Sequence, residues 1–185
     1  MHLSLILDMA ADALGDRRAV TAPDGTITYA ELRERADALA GSLVGERAVQ
    51  LGLNSLAVPV TLFAAARAGA AFTPLNYRLA DPDLVRIATR AAPAAAVVDR
   101  NMVGRLAPVE GLTVLETESL DAIAATDFVP DFDTDSVAIL LFTSGTTGEP
   151  KAAVLRHRHV TSYVMGTLEF AAAVSTQARG SNAAR

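Results

Sequence analysis

The sequence predicts an α/β fold with a mainly parallel sheet and covering helices. Short runs of branched apolar residues alternate with segments whose apolar residues recur at helical spacing, as in βαβ crossovers. One run, residues 137–142, is continuously apolar, which is typical of a strand buried on both faces. The chain has 185 residues, 51% of them hydrophobic, and these are enough for one substantial core.

The first 43 residues predict two helices separated by a hairpin. The first helix ends near Gly15, and its apolar face carries Leu3, Ile6, Leu7, Ala10 and Leu14. Short β segments at 19–22 and 26–28 flank the turn signal Asp24-Gly25. Thr28 and Glu31 form a capping box that opens a helix to about residue 43. Its charged residues are interpreted as a solvated face: Arg33, Glu34, Arg35 and Asp37.

The middle of the chain alternates between the two element types. We expect strands at 48–53, 70–75, 94–98 and 113–115, and helices at 56–68, 81–92 and 119–125. Asn54-Ser55 can cap the first of these helices, and Gly69 ends it. Asp81 as N-cap and Pro82 at the first helical position open the second. After the central strand we expect a further strand at 152–155 and a helix from about residue 160.

Charge and composition exclude several classes of protein. The net charge is −5, so no overall basic field favours nucleic acid or an anionic membrane. The absence of cysteine excludes disulfides and thiolate metal sites. Asp8 and Asp12 interrupt the apolar N-terminal segment, which also lacks a basic leader, so export is not expected. Pro59 and Arg67 make residues 56–72 a buried helix rather than a membrane span. We expect a soluble, cytoplasmic protein.

A segment rich in hydroxyls and glycines follows the central strand. It comprises Thr143, Ser144, Gly145, Thr146, Thr147 and Gly148, followed by Glu149, Pro150 and Lys151. Glycines let main-chain N–H groups come close to a ligand, and successive N–H groups form a nest for an anion. Hydroxyls add donors and can ligate Mg²⁺, while Lys151 adds a positive charge. The segment therefore predicts a polyphosphate-binding loop.

The hydroxyl-rich segment and its neighbours also allow other interpretations. A Ser/Thr/Gly cluster can be an ordinary loop, and the Walker motif fails because Lys151 follows Pro150 and precedes Ala152. The acidic stretch 131–135 is interpreted as a solvated loop rather than a metal site. No catalytic triad is assignable, and no zinc partners accompany His157 and His159.

A basic run follows the predicted strand at 152–155, and its role stays open between two interpretations. It comprises Arg156, His157, Arg158 and His159. The first is a solvated strand end, which is the usual fate of a charge run. In the second, Arg156 or Arg158 adds positive potential near the phosphate loop.

Residues 143–151, TSGTTGEPK, resemble the phosphate-binding signature of the adenylate-forming superfamily, which includes acyl-CoA synthetases and the adenylation domains of peptide synthetases. Residues 28–32 resemble the family's TY-x-EL helix start, and residues 64–76, AAARAGAAFTPLN, resemble its second recurrent segment. His157 sits where many members have the histidine of a Ser/Thr-His-Arg helix start. The resemblance covers residues 3–170. It implies an incomplete N-terminal domain of the adenylate-forming fold over 1–170, with 171–185 as a disordered or frame-altered tail.

The resemblance also implies a function and a set of site residues. Family members activate a carboxylic acid with ATP and Mg²⁺ as its acyl-adenylate, and a thiol such as coenzyme A then displaces AMP. On this analogy, Thr143, Ser144, Thr146 and Thr147 hold the phosphates, Gly145 and Gly148 permit close approach, and Lys151 neutralises charge. Thr143 would also contact Mg²⁺. Ala152 replaces the usual glycine.

The length of family members sets a further expectation. They run to several hundred residues, so we expect an N-terminal fragment of an acid–thiol ligase, inactive alone, for a fatty or aryl acid. The alternative is a non-catalytic nucleotide-binding module or a complementing partner of another polypeptide. In either case, uncovered apolar surface would invite self-association.

Overall fold

The computed structural model describes residues 1–43, 47–124, 133–143 and 151–182, with side chains described except for Thr143 and 172–182. Its main sheet has six strands in the order β6-β5-β3-β4-β7-β8, in which only β8 runs antiparallel to its neighbour. The strands are β3 (Arg47–Leu51), β4 (Ala71–Pro74), β5 (Ala94–Val98), β6 (Leu112–Glu116), β7 (Val137–Thr143) and β8 (Lys151–Arg156). The prediction of a mainly parallel α/β sheet is confirmed.

Helices cover both faces of this sheet. They are α1 (Leu3–Leu14), α2 (Tyr29–Ala40), α3 (Ala57–Arg67), α4 (Asp81–Ala91) and α5 (His157–Asn182). Side chains of α4 pack on Val49, Leu51 and Val98 on one face. Side chains of α2 and α3 pack on the other, around Val97 and Leu7 of α1. The hairpin of β1 (Arg18–Ala22) and β2 (Gly25–Thr28) lies beside α2.

Local signals in the sequence set several element ends as expected. The capping box is present: the Glu31 N–H donates to Thr28 Oγ1 (3.2 Å), and the Thr28 N–H donates to the Glu31 carboxylate (2.7 Å). These backbone and hydroxyl contacts of Thr28 hold the pKa of the Glu31 carboxyl below its ordinary value. Gly69 adopts a φ of 69° just after α3, in the left-handed region that favours glycine. Helix α2 ends at Ala40, three residues earlier than predicted.

Two predicted N-caps are wrong, because among the described residues neither α3 nor α4 has a side-chain cap hydrogen bond, and both have other N-cap residues than predicted. Helix α3 has Leu56 as its N-cap residue, and the Leu56 N–H donates to the Asp24 carboxylate (3.1 Å) from the hairpin turn, not to Ser55. Ala80 caps α4, so Asp81 is its first helical residue. The Asp81 carboxylate instead accepts a hydrogen bond from Arg105 (2.7 Å), in the 3₁₀ segment Arg100–Leu106. Side chains from distant parts of the chain, Asp24 and Arg105, thus contact the starts of both helices.

An ion-pair cluster joins the three helices on one face, and it corrects the prediction that Asp37 is solvated. Arg67 of α3 is 6% exposed, and its guanidinium donates to Asp8 of α1 (2.8 Å) and to Asp37 of α2. Arg33 and Arg35 of α2 also form ion pairs, with Asp12 and Asp121 respectively. Arg33, Arg35 and Asp37 therefore connect α2 to other elements, while Glu34 is exposed as predicted.

Strand β7 is less covered than its apolar sequence predicted. Ala138 is buried, but Leu141 is 38% exposed, and Leu140 lines an open groove with Arg47 and Gly69. The prediction of a strand buried on both faces is wrong for the described part of the chain. The reason is position, because β7 lies one strand from the edge of the sheet. Ile139 and Phe142 still pack at the margins of the clusters under α3 and α4, whereas Leu141 faces solvent.

The C-terminal helix begins at His157 and continues to Asn182. Helical backbone thus extends twelve residues past residue 170, and the division of the chain at that position stays a prediction. In the part of the chain that the structure describes, no helix combines the length and apolar character needed to cross a membrane.

Candidate functional site

The carboxyl ends of the five parallel strands meet at one edge of the sheet. In sheets of this kind, ligands bind at this edge because the loops and helix N-termini gather there. The segments that leave the edge follow Leu51, Pro74, Val98, Glu116 and Thr143. Thr143, the first residue of the predicted phosphate loop, ends the last of these strands, at the edge where such folds carry their sites.

The structure brings the two ends of the predicted loop together. Thr143, the last residue of β7, and Lys151, the first of β8, are register partners of the antiparallel β7–β8 pair. Directly opposed residues have Cα atoms about 4.5–5.5 Å apart. Lys151 is the only lysine in the chain, and it is exposed. The structure thus places one positive charge beside the end of β7.

The other predicted site residues lie outside the described residues. They are Ser144, Gly145, Thr146, Thr147 and Gly148, in the connection from β7 to β8. The backbone of Thr143 is described but its side chain is not. The assignment of these residues to a phosphate site, and of Thr143 to Mg²⁺, stays a prediction.

The connection that follows β4 leaves the same edge from the strand next to β7, because β4 pairs directly with β7 through Phe72 and Ile139. Arg105 holds this connection through donation to the carbonyls of Tyr77 (2.7 Å) and Leu79 (2.6 Å). The Arg78 guanidinium lies 5.1 Å from the centre of the Tyr77 ring, at cation–π distance. Arg78 is exposed and places a second positive charge at this edge.

Asp99 ties three of the strand ends together, and sequence reasoning missed it. It directly follows β5, and its carboxylate accepts hydrogen bonds from the Leu53 N–H (2.8 Å) after β3 and the Thr117 hydroxyl (2.9 Å) after β6. Gly52 permits this arrangement, because an added Cβ there would lie 2.4 Å from an Asp99 carboxylate oxygen. The sequence did contain a signal for this role, because Asp99 is a carboxylate directly after a buried apolar run, at the carboxyl end of a strand.

The basic run at the end of β8 lies at the opposite end of the strand pair. Arg156 pairs with Val137 at the start of β7, whereas Lys151 pairs with Thr143 at its end. Five residue steps along the strand separate the two positions by roughly 17 Å. Arg158 forms an ion pair with Asp135, and Arg156 donates to the Asp135 carbonyl. The hypothesis that these arginines add potential near the phosphate loop is therefore wrong.

His157 contradicts the solvated interpretation of the same run, because it is fully buried. The acidic stretch behaves as expected where it is described, since Asp133 and Asp135 are exposed. Across residues 1–43, 47–124, 133–143 and 151–182, no group of three or more metal-binding side chains forms a candidate ion site.

Comparison with known proteins shows the family to which the chain belongs. The family model described as "AMP-binding enzyme" matches residues 7–179. The chain belongs to this family. Its members include AMP-forming CoA ligases and synthetases. Over 161 residues, the chain is 35% identical to a feruloyl-CoA synthase from Amycolatopsis, and the match covers 78% of this chain and 33% of that protein.

Two further members show the breadth of the family. The chain is 32% identical over 177 residues to the phosphinothricin tripeptide synthetase PhsC of Streptomyces viridochromogenes, covering 90% of this chain and 16% of that protein. The structure of VinN with 3-methylaspartate aligns with a TM-score of 0.74 at 26% identity, over 85% of this chain and 48% of that one. The chain therefore spans a third of the length of the feruloyl-CoA synthase, and it corresponds to the N-terminal part of the adenylate-forming fold.

Proposed function

We propose that this chain supplies the nucleotide-phosphate-binding N-terminal part of an ATP-dependent acid–thiol ligase. The observation that carries the proposal is the pairing of Thr143 with Lys151 at the carboxyl end of a parallel strand. The sequence between them is rich in glycine and hydroxyls, and it is joined to a lysine at the base of the loop. Membership of the AMP-binding family supports the same assignment.

In the proposed reaction, a carboxylate oxygen of the acid attacks the α-phosphorus of ATP, and the bond to the β-phosphate oxygen breaks to release pyrophosphate. A thiolate, such as that of coenzyme A, then attacks the acyl carbon and displaces AMP. The loop residues Thr143 to Gly148 hold the β- and γ-phosphates. Lys151 stabilises the negative charge on the departing pyrophosphate by electrostatic attraction rather than by proton transfer.

Mg²⁺ would accompany ATP at this loop. Hydroxyl oxygens are hard ligands that suit this ion, and Thr143 lies at the start of the loop. When bound, the ion neutralises phosphate charge. The role of the protein is to hold the triphosphate in one orientation, which accelerates the reaction by positioning.

The acid is proposed to be an aryl or fatty acid rather than an amino acid. The higher identity to a feruloyl-CoA synthase than to a peptide synthetase supports this class. Because the match covers a third of that relative, we further propose that the 185 residues alone bind ATP without completing adenylation, which requires three aligned groups. The enzyme would act in the cytoplasm.

Calorimetry with ATP·Mg²⁺ tests the phosphate site. Loss of one charge-assisted phosphate contact is worth about 1.5–3 kcal/mol, so Lys151→Ala is expected to weaken binding by roughly 10- to 150-fold. Arg18→Ala is the matched control, because Arg18 is an exposed cation on the hairpin. Equal affinities of the parent chain and Lys151→Ala would refute the site.

Pyrophosphate exchange tests the reaction, with ferulate and a series of fatty acids as substrates. We expect no exchange by the 185 residues alone. We expect exchange when the missing part of a feruloyl-CoA-synthase-like protein is joined to them. Absence of exchange by the joined protein, with ATP binding intact, would favour a non-catalytic nucleotide-binding module.

Self-association of the isolated chain is a further part of the proposal. Apolar side chains are exposed on β7, β8 and the start of α5, among them Leu141 (38%), Val154 (47%), Tyr163 (78%) and Phe170 (73%). Exposed apolar patches of this kind promote association. Size-exclusion chromatography is expected to show oligomers, and a compact monomer would contradict this part.

A further inference from the structure

Two buried imidazoles join the start of the chain to the start of α5. The rings of His2 and His157 are stacked, with centroids 3.6 Å apart and an interplanar angle of 26°. Their residues are 1% and 0% exposed. Nearby, the Thr161 hydroxyl donates to the Met1 carbonyl (2.9 Å), so the first residues of the chain are held at this place.

Both rings accept hydrogen bonds from the first turn of α1. The Ser4 N–H donates to His2 Nδ1 (3.2 Å), and the Leu3 N–H donates to His157 Nδ1 (3.3 Å). The first N–H groups of a helix have no partner within the helix, so these nitrogens act as its caps. His2 caps its own helix, and His157 caps it from 155 positions further along the chain.

This geometry requires both imidazoles to be neutral. An Nδ1 that accepts a hydrogen bond carries no proton, whereas a protonated imidazole is a donor at both nitrogens. Protonation would thus remove a cap and place a cation at a helix N-terminus, where the macrodipole is unfavourable to it. A second protonation would put two like charges in stacked rings.

Several charged groups lie on the elements around the two imidazoles. The Met1 amine precedes α1. On α1 the charged groups are Asp8, which binds Arg67, and Asp12, which binds Arg33. At the β8–α5 junction they are Arg156, Arg158 and His159, and before β7 they are Asp133 and Asp135. Arg158 forms an ion pair with Asp135, and the Arg156 N–H donates to His159 Nδ1.

We propose that His2 and His157 form a pH-sensitive latch, which docks the start of α1 on α5 when both are neutral and releases it when they take up protons. The sign follows from proton linkage. The docked state binds neither proton, while the released state binds them with the ordinary histidine pKa of about 6.5, so docking weakens as the pH falls. Between pH 7.5 and 5.5, each histidine raises the opening constant about 10-fold, and both together about 100-fold.

Amide hydrogen exchange of the full 185-residue chain measures this opening. After correction for intrinsic exchange rates, we expect protection over residues 3–14 to fall about 100-fold between pH 7.5 and 5.5, with residues 81–91 as the internal reference. Asn can present its Oδ1 where His has Nδ1 and does not titrate. The His2→Asn/His157→Asn variant is therefore expected to abolish the pH dependence, and each single variant to leave about 10-fold.

His159→Asn is the matched control, because this exposed histidine also accepts a backbone N–H through Nδ1. It is expected to keep the full pH dependence. A fall of less than threefold in the parent chain, or an equal fall in the double Asn variant, would overturn the latch. If the double variant does not fold, NMR titration of the parent chain decides. Ring-proton signals of His2 and His157 that titrate near pH 6.5 in the docked state would overturn it, and their absence would support it.

Discussion

Removing the two carboxylates around Arg67 should destabilise the fold more than removing Arg67 itself. Arg67 is 6% exposed, and its guanidinium cannot be neutralised by deprotonation, so without Asp8 and Asp37 it remains as a buried, uncompensated charge. Leaving such a charge costs about 3–5 kcal/mol. Alanine is a good helix former, so Asp8→Ala/Asp37→Ala adds no backbone penalty in α1 and α2.

Substitution of Arg67 instead leaves the carboxylates of Asp8 and Asp37. Their side chains are 24% and 29% exposed, so water can hydrate them. Methionine fills most of the volume of the arginine stem. Because the remaining charges are partly hydrated, we expect Arg67→Met to cost about 1–2 kcal/mol, less than the full penalty for a broken buried pair. Both variants lose the same ion pairs. The difference between their free energies of unfolding therefore reports the cost of leaving the guanidinium buried without a partner.

Urea unfolding at pH 7, followed by circular dichroism, gives both free energies of unfolding. Arg86→Met is the control, since its i,i+3 pair with Asp83 is exposed on both sides (43% and 52%), and such pairs contribute about 0.2–1 kcal/mol. The reasoning is refuted if Arg67→Met lowers the free energy of unfolding as much as the double alanine variant does.

Three further predictions concern local contacts. Thr28→Ala should cost about 1 kcal/mol in urea unfolding, because it removes the hydroxyl half of the capping box, and a loss under 0.3 kcal/mol would contradict that role. The Glu31 carboxyl has a lowered pKa in the fold, so its stabilisation is present above the ordinary value of 4.5 and is lost as pH falls through the folded-state pKa. The penalty of Glu31→Gln relative to the parent chain should therefore shrink on acidification from pH 6, and a constant penalty would count against it. Gly52→Ala should cost about 1–3 kcal/mol, because its Cβ displaces the Asp99 carboxylate, and Asp99→Ala should remove most of that penalty in a double-mutant cycle.

Several features could be read from the sequence because their causes are local. The capping box depends on Thr28 and on a glutamate three residues later, which is a spacing within one helical turn. Gly69 ends α3 because only glycine readily adopts a φ of 69°. The run at 94–98 is apolar throughout and became a fully buried strand. The loop signature could be read in the same way, as a short run of residues whose chemistry suits phosphate.

Other features depend on partners far away in the chain, which no local pattern specifies. Asp24 accepts the Leu56 N–H just before α3 across 32 residues, and Asp99 accepts the Leu53 N–H across 46. His157 is one of four consecutive residues in a basic run, and such a run is usually a solvated strand end. Only packing against the first turn of α1 made it a buried acceptor.

By itself, the sequence determined the alternation of strands and helices, most element ends, and a glycine- and hydroxyl-rich segment directly after a buried run. Tertiary structure decided strand order, and with it which side chains are covered. The apolar residues of β7 are partly exposed because β7 lies next to the edge strand β8. Register placed Lys151 opposite Thr143 and put Arg156 at the far end of the same pair. The physical reason is that propensity and capping act within a turn or two of chain, whereas burial and ion pairing depend on the neighbours that folding supplies.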